Sequence, residues 1–231
     1  MIDPDTLVAA QWWFRERKGD ETDNRIVFLI SSSFYFLHSL HSLMKDYSLP
    51  SISGIMSGVK KISDSEGIHL GMFPHSEKYA SFRAAISLTG DIYNALSPIL
   101  QHDLMELRPK IQNLYDAANK FRSVRNFFTH LGNVLREPEK HGVDGPLQTE
   151  FGAEYTDTAK NCFHLVMHNE TIYFTYYKKA EKLYVGKSAF IPMFDAAREI
   201  YKELLSHKLN KEHQNYPPAE SLFQINNGAT K

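Results

Sequence analysis

Along the first half of the chain, large apolar residues return at gaps of three and four, the period of a helix that buries one face. Ile26, Ile30, Leu37, Leu40, Met44 and Tyr47 form one such stripe, with Ser33 in the missing rung. They predict a long helix capped by Asp23 or Asn24 and closed by Pro50. Before it, Pro4 to Lys18 predict a shorter helix with Trp12, Trp13 and Phe14 together, Arg15, Arg17 and Lys18 behind them, and Gly19-Asp20 as its stop. Ser51 to Pro74 is rich in Gly and Ser and predicts a connecting loop, with a turn of helix around Val59. Tyr79, Phe82, Ile86, Tyr93, Leu96 and Leu100 make a second stripe, in which Ser97-Pro98 ends one helix and caps the next. The longest run comes third. Ile111, Leu114, Ala118, Phe121, Val124, Phe128, Leu131 and Leu135 predict one helix from Asp103 to Leu135, started or kinked at Pro109 and stopped at Glu137-Pro138.

Beyond Pro138 the period drops from about 3.6 to 2. Phe163, Leu165 and Met167 alternate with His164, Val166 and His168. After Asn169-Glu170, Ile172, Phe174 and Tyr176 alternate with Thr171, Tyr173 and Thr175. This predicts a β-hairpin with one greasy and one mixed face. Leu183 and Val185 predict a third strand after a turn at 178–182, and Phe151 to Tyr155 a fourth. Ser188 to Leu209 returns to helix, with Ala189, Met193, Ala196, Ile200, Leu204 and Leu205 facing in. Residues 210–231 are polar, carry Pro217-Pro218 and predict a flexible tail. The sum is a mainly α fold: a single antiparallel helical bundle over residues 1–209, with a small antiparallel β insertion at about 147–186 between the third and last long helices.

Composition narrows the function more than the fold. A chain of 231 residues, 42% hydrophobic, has enough apolar surface for one full core. Its formal charge of −1 and pI near 6.8 provide no global field toward nucleic acid or an anionic membrane, so any phosphate site must be local. The lone Cys162 excludes an internal disulfide and a Cys-cluster zinc site, and fits a reducing compartment. The opening MIDPDTLV puts acids where a secretory leader needs Lys or Arg, which predicts a cytoplasmic protein. Ile26 to Leu43 is broken by Ser31, Ser32, Ser33, His38, Ser39, His41 and Ser42, predicting a buried helix and no membrane span. No Gly-rich phosphate loop, Ser or Cys nucleophile motif, or paired metal-binding carboxylates occur, which sets aside kinase, hydrolase and dehydrogenase chemistry of the familiar kinds; no cofactor and no metal are expected.

The polar face of the third helix carries the best chemical clue. At about 100° per residue, Asn126 and His130 fall about 40° apart, with Arg122, Asn119 and Asn133 beside them. A row of Asn, Arg, Asn, His and Asn is not what a merely solvated face prefers, because Asn and His are weaker helix formers than Lys, Glu or Gln. Arg125 stands about 140° from His130 on the same wheel, so its side chain must bend round the helix, or meet His130 across a dimer.

Arg125, Asn126 and His130, with four residues between the Arg and the His on a late bundle helix, resemble the signature of the HEPN superfamily: an Arg, usually followed by Asn, Asp or His, then a His after four to six residues. The resemblance rests on this one helix and the bundle architecture, and the hairpin region departs from the family's minimal pattern. It implies a homodimer whose two motifs line one cleft, and a metal-independent endoribonuclease in a toxin or phage-defence setting, held in check by an inhibitor or antitoxin protein. By the same resemblance Arg125, Asn126 and His130 are catalytic. Arg122, Asn119 and Asn133 are the substrate-binding neighbours on the same face. Such cleavage uses the ribose 2′-hydroxyl as nucleophile, which needs an imidazole to move protons near neutral pH and a guanidinium to hold two phosphate oxygens. The alternative reading is a non-catalytic helical dimer that binds a nucleotide, nucleic acid or protein through the same cleft. A second Arg-His pair at an allowed gap, Arg136 and His141, is split by Pro138 and cannot share a helix.

Other constellations have plainer explanations. His38 and His41 lie a turn apart but lack an acidic partner at helical spacing, so they read as a polar helix edge before a metal site. His164 and His168 read as a solvated or partner-facing sheet surface. Tyr173, Tyr176, Tyr177, Lys178 and Lys179 resemble a base-stacking cluster, although Tyr in strands usually packs. Trp12-Trp13-Phe14 beside Arg either covers one end of the bundle or docks on a membrane or partner.

Overall fold

Asp3 begins the first helix by accepting a hydrogen bond from the Thr6 N–H at 2.9 Å, and Pro4 supplies the preset first residue. In the computed structural model the described residues are 1–49, 76–131, 133, 137–143, 148–149, 152–153, 165–207 and 216–224. The loop expected at 51–74, with its turn of helix near Val59, lies outside them. The helices are α1 (Pro4–Lys18), α2 (Asn24–Met44), α3 (Ser76–Leu96), α4 (Arg108–Asn119), α5 (Arg122–Thr129), α6 (Pro138–His141) and α7 (Ile191–Leu205). Strands β1 (Gln148–Thr149) and β2 (Gly152–Ala153) pair with each other, and β3 (Leu165–His168), β4 (Thr171–Tyr176) and β5 (Lys179–Tyr184) form a second antiparallel sheet in that order. The chain is therefore mainly helical with a small antiparallel sheet component, as the patterning predicts. Contacts group it into two compact units: Met1–Asp46 with Ala85–Arg122 and Phe190–Lys231, and Tyr47–Ala84 with Ser123–Ala189.

In the first unit, α1, α2 and α7 pack on one another and α4 packs on α7. Trp13, Phe14, Phe34, Leu37, Ile111, Leu114, Phe194, Ile200 and Tyr201 are all 2% exposed or less, so this is one continuous apolar core. The serines that interrupt the apolar run of α2 face inward rather than to solvent. Ser31 Oγ donates to the Asp3 carbonyl at 2.6 Å, and Ser33 Oγ to the Ile30 carbonyl at 2.7 Å. A short hydroxyl can be buried when it finds a backbone acceptor, and Ser31 uses that acceptor to tie the start of α1 to α2. By length and composition α2 is apolar enough to cross a membrane, and half of that apolar stretch is buried within the fold.

The predicted single helix from Asp103 to Leu135 is not continuous. Met105–Leu107 form a 3₁₀ turn, and α4 starts at Arg108 with Pro109 in its first turn. It ends at Asn119, and α5 starts at Arg122. Between them the ladder tightens, with the Phe121 N–H bonded to the Ala118 carbonyl at 3.1 Å, while the Phe121 ring stacks on Phe190 at 4.9 Å and 11°. Such a contact is comparable in worth to a single backbone hydrogen bond, and periodicity alone cannot register a break of this kind.

The expected tail is anchored in part. Ala219–Ser221 form a 3₁₀ turn, and Phe223 is only 3% exposed, ringed by Phe34, Phe194, His38 and His41. Arg198 donates to the carbonyls of Leu222 and Phe223, and His41 Nε2 to that of Gln224 at 3.0 Å. Low overall hydrophobicity concealed one strong aromatic anchor. The last helix is also shorter than predicted: residues 187–190 form a 3₁₀ turn, and α7 begins at Ile191, where Pro192 suits the first turn.

In the second unit the hairpin turns at Asn169 (φ 44°) and Glu170 (φ 63°), the left-handed pair that matches strand twist in a two-residue loop. The register sets Leu165 opposite Phe174 and Met167 opposite Ile172. Tyr177 (φ 47°) and Lys178 (φ 61°) repeat the device, so β5 begins at Lys179 instead of after a longer turn. As the central strand, β4 is buried on both faces: Tyr173 and Thr175, on the side read as mixed, are 2% and 0% exposed. The fourth strand expected at 151–155 is represented among the described residues by the two-residue β2 alone.

Candidate functional site

Helix α5 buries Val124, Phe127 and Phe128. Phe127 packs against Phe174 (5.2 Å) and Tyr176 (6.3 Å) of β4, while Phe128 packs against Phe82 (5.5 Å) and Tyr79 (6.1 Å) of α3. Two aromatic residues in sequence thus grip two different neighbours and fix the rotation of the helix. That rotation leaves Arg125 and Asn126 half-buried and Thr129 and His130 exposed.

Among the described residues Arg125 makes no hydrogen bond to His130; it turns to its sequence neighbour instead. Its Nη1 donates to Asn126 Oδ1 at 3.1 Å, which carries the guanidinium onto the face of Asn126. The amide oxygen of Asn126 is thereby engaged as an acceptor. His130 lies one residue past the end of α5, but its N–H still bonds to the Asn126 carbonyl at 2.9 Å, so the one-turn spacing on the wheel survives. The chain then tightens, with the Asn133 N–H on the His130 carbonyl at 2.8 Å; Asn133 is exposed.

The remaining two face residues belong to the first unit. Arg122 is exposed and its guanidinium sits 5.5 Å from the Tyr93 ring centre. Tyr93 stacks on Tyr115 (4.7 Å, 27°), whose hydroxyl donates to Tyr93 at 3.0 Å; this hydrogen bond, with burial, raises the Tyr115 phenol above its ordinary value. Asn119 precedes the break, and its Oδ1 is buried without a hydrogen-bond partner among the described residues. The wheel placed five polar residues on one face by assuming a continuous helix; the break at 120–121 and the tightening after His130 limit the rule to Arg122, Asn126 and His130.

One neighbour escaped the sequence reading. Arg83 Nη2 donates to the Phe128 carbonyl at 3.4 Å and lies over the rings of Tyr79 (5.9 Å) and Phe128 (5.8 Å), bringing a second guanidinium to the end of α5, two residues before His130. Burial raises the Tyr79 phenol, and Arg83 beside it works in the opposite direction. No local signal links positions 83 and 128, since only the packing of α3 on α5 joins them.

The rival constellations have structural uses. His38 Nε2 lies 3.7 Å from Asp3, and both His38 and His41 hold Phe223. His141 is 3% exposed, stacked on Tyr176 (5.3 Å) and against Tyr177 (4.6 Å). Burial, then the bond to Tyr177, pushes the Tyr176 phenol up to about 12. Tyr173 is packed and Tyr177 exposed. His164, the His168 side chain and Arg136 lie outside the described residues. Among the described residues no group of three or more His, Cys, Asp or Glu is placed to hold a metal ion. Comparison of the chain with protein-family models, with curated proteins and with solved structures finds no match.

Proposed function

We propose that this chain is a metal-independent endoribonuclease, acting as a homodimer, with Arg125, Asn126 and His130 as its catalytic group. The observation that carries this reading is the Arg125–Asn126 bond at 3.1 Å beside an exposed imidazole one turn away. A guanidinium steered by a neighbouring amide is a preorganised anion clamp, and it keeps N–H groups pointing away from that amide. In the reaction the 2′-oxygen bonds to phosphorus and the bond from phosphorus to the 5′-oxygen breaks. One imidazole takes the 2′ proton, and the counterpart from a second copy gives a proton to the leaving 5′-oxygen. Arg125 holds the equatorial oxygens while charge accumulates on them. The products are a 2′,3′-cyclic phosphate and a 5′-hydroxyl. A toxin or defence role, with an inhibitor protein restraining the activity, is part of the same proposal and rests on the HEPN resemblance.

The test is incubation of purified chain with RNA in EDTA. Parent protein is expected to cut and leave cyclic phosphate ends, with Arg125→Ala and His130→Ala each slowed by about 10²-fold or more and Arg125→Lys impaired through loss of the bidentate fork. Equal cutting by parent and both variants, or cutting abolished by EDTA, would overturn the reading. Parent protein that retards RNA in a gel without cutting it would establish the non-catalytic binding module instead.

A further inference from the structure

Helix α1 carries two arginines with unlike surroundings. Arg17 lies 3.4 Å from Glu16, 3.7 Å from Glu106 and 3.9 Å from Glu203, with its guanidinium 4.0 Å above the Trp13 ring, so its charge is spent on the fold. Arg15 has no ion pair among the described residues. It lines a cleft of about 290 Å³ with Gln11, Trp12, Gly19, Thr22 and Asn24, and is the only charged residue among those described there. Gln11 and Arg15 stand one turn apart on the same face. Trp12 is half-buried, unlike Trp13 at 0% exposure.

The turn from α1 to α2 forms the far wall. Gly19 adopts φ 58°, ψ −135°, and the Thr22 hydroxyl donates back to its carbonyl at 2.9 Å. Asp23, beside the cleft residues Thr22 and Asn24 in sequence, is engaged elsewhere. It is held by Arg25 through Nε at 3.1 Å, Nη2 at 3.0 Å and the backbone N–H at 2.9 Å. Among the described residues the cleft thus combines one indole, one guanidinium without an ion pair and two side-chain amides.

We propose that this cleft binds a single flat aromatic ring bearing one anionic group. The indole offers a stacking face, and ring pairs gain most when offset or edge-on within a few ångströms. The exposed Arg15 guanidinium can bind a carboxylate or phosphate through two parallel N–H···O bonds. Gln11 and Asn24 supply donors for the remaining oxygen. The volume lies at the lower end of ligand sites, which run from roughly 300 Å³ upward, so it suits one ring and not an extended cofactor. The proposal stands independently of the ribonuclease reading.

The chain has only two tryptophans, so a ¹⁵N-labelled sample gives two indole N–H signals, assigned by Trp12→Phe. Benzoate and phenyl phosphate are titrated separately, which tells a carboxylate ligand from a phosphate one. Benzamide lacks the charge, and cyclohexanecarboxylate lacks the flat ring. Saturable movement of the Trp12 signal by at least one flat anion is expected, with the Trp13 signal fixed as an internal control of folding. Arg15→Gln, benzamide and cyclohexanecarboxylate should each weaken the response at least about tenfold, the equivalent of about 1.4 kcal/mol. No movement of the Trp12 signal at about 10 mM of either flat anion, equal binding by Arg15→Gln, or equal response to the uncharged or non-planar probes overturns the proposal.

Discussion

Gly19 shows how far one residue can decide a local structure. Its φ of 58° with ψ of −135° lies in a region that side chains with a Cβ avoid, yet a Cβ built there meets nothing within 4 Å. The cost of substitution is therefore backbone strain alone, of roughly 1–3 kcal/mol. Gly19→Ala should lower the thermal midpoint by several degrees, and Gly19→Ser by nearly the same amount, because the Cβ of either side chain has open space. A clearly larger loss for Ser in parallel melts would show that steric crowding, not strain, keeps glycine there. At the catalytic candidates, the residue types and spacing of Arg125, Asn126 and His130 could be read directly. The bend of Arg125 toward Asn126 could not, because a helical wheel records where Cβ atoms point and not where a long side chain ends.

Among elements, the segment 216–224 gains its place from Phe223 and not from its own propensity. The ring is 3% exposed between α2 and α7, and the backbone around it is held by Arg198 and His41. Phe223→Ala should cost about 3 kcal/mol in urea unfolding, the usual range for removing a buried aromatic ring. Arg198→Ala should cost about 1 kcal/mol, because its bonds compete with water. If both cost the same small amount, the segment is not anchored by its ring. The helix of residues 108–129 makes the complementary point. The stripe Ile111, Leu114, Ala118, Phe121, Val124 and Phe128 is buried as expected, but Phe127, left out of it, is buried too, and the break at Lys120–Phe121 coincides with the stacking of Phe121 on Phe190, which is distant in sequence.

For the molecule as a whole, pH acts through the few carboxylates that the fold has fully engaged. Glu203 is the clearest: Lys110 Nζ lies 2.8 Å from it, and this hydrogen bond, aided by Trp13 and Arg17, holds its carboxyl below the ordinary value despite partial burial. Because the folded form holds this proton less tightly than the unfolded chain, its stabilising contribution is complete above the unfolded value near 4.5. It is lost as pH falls through the lower folded value. Urea midpoints measured from pH 7 down to pH 3 should drop below about 4.5, and Lys110→Met should flatten that slope. An unchanged slope in the variant would assign the acid limb to other groups.

The sequence alone determined the helical stripes, the change to a two-residue period at the hairpin, the turn at Asn169-Glu170 and the chemical character of the Arg125, Asn126 and His130 group. All of these follow from short-range rules: side-chain periodicity and the sterics of single residues. Only tertiary packing decided the breaks within the third helix, the burial of both faces of β4, the inward-facing serines of α2, the docking of Phe223, and the approach of Arg83 to the end of α5. Each depends on a partner many residues away, and the energy of such a contact is absent from the local pattern until the chain has folded around it.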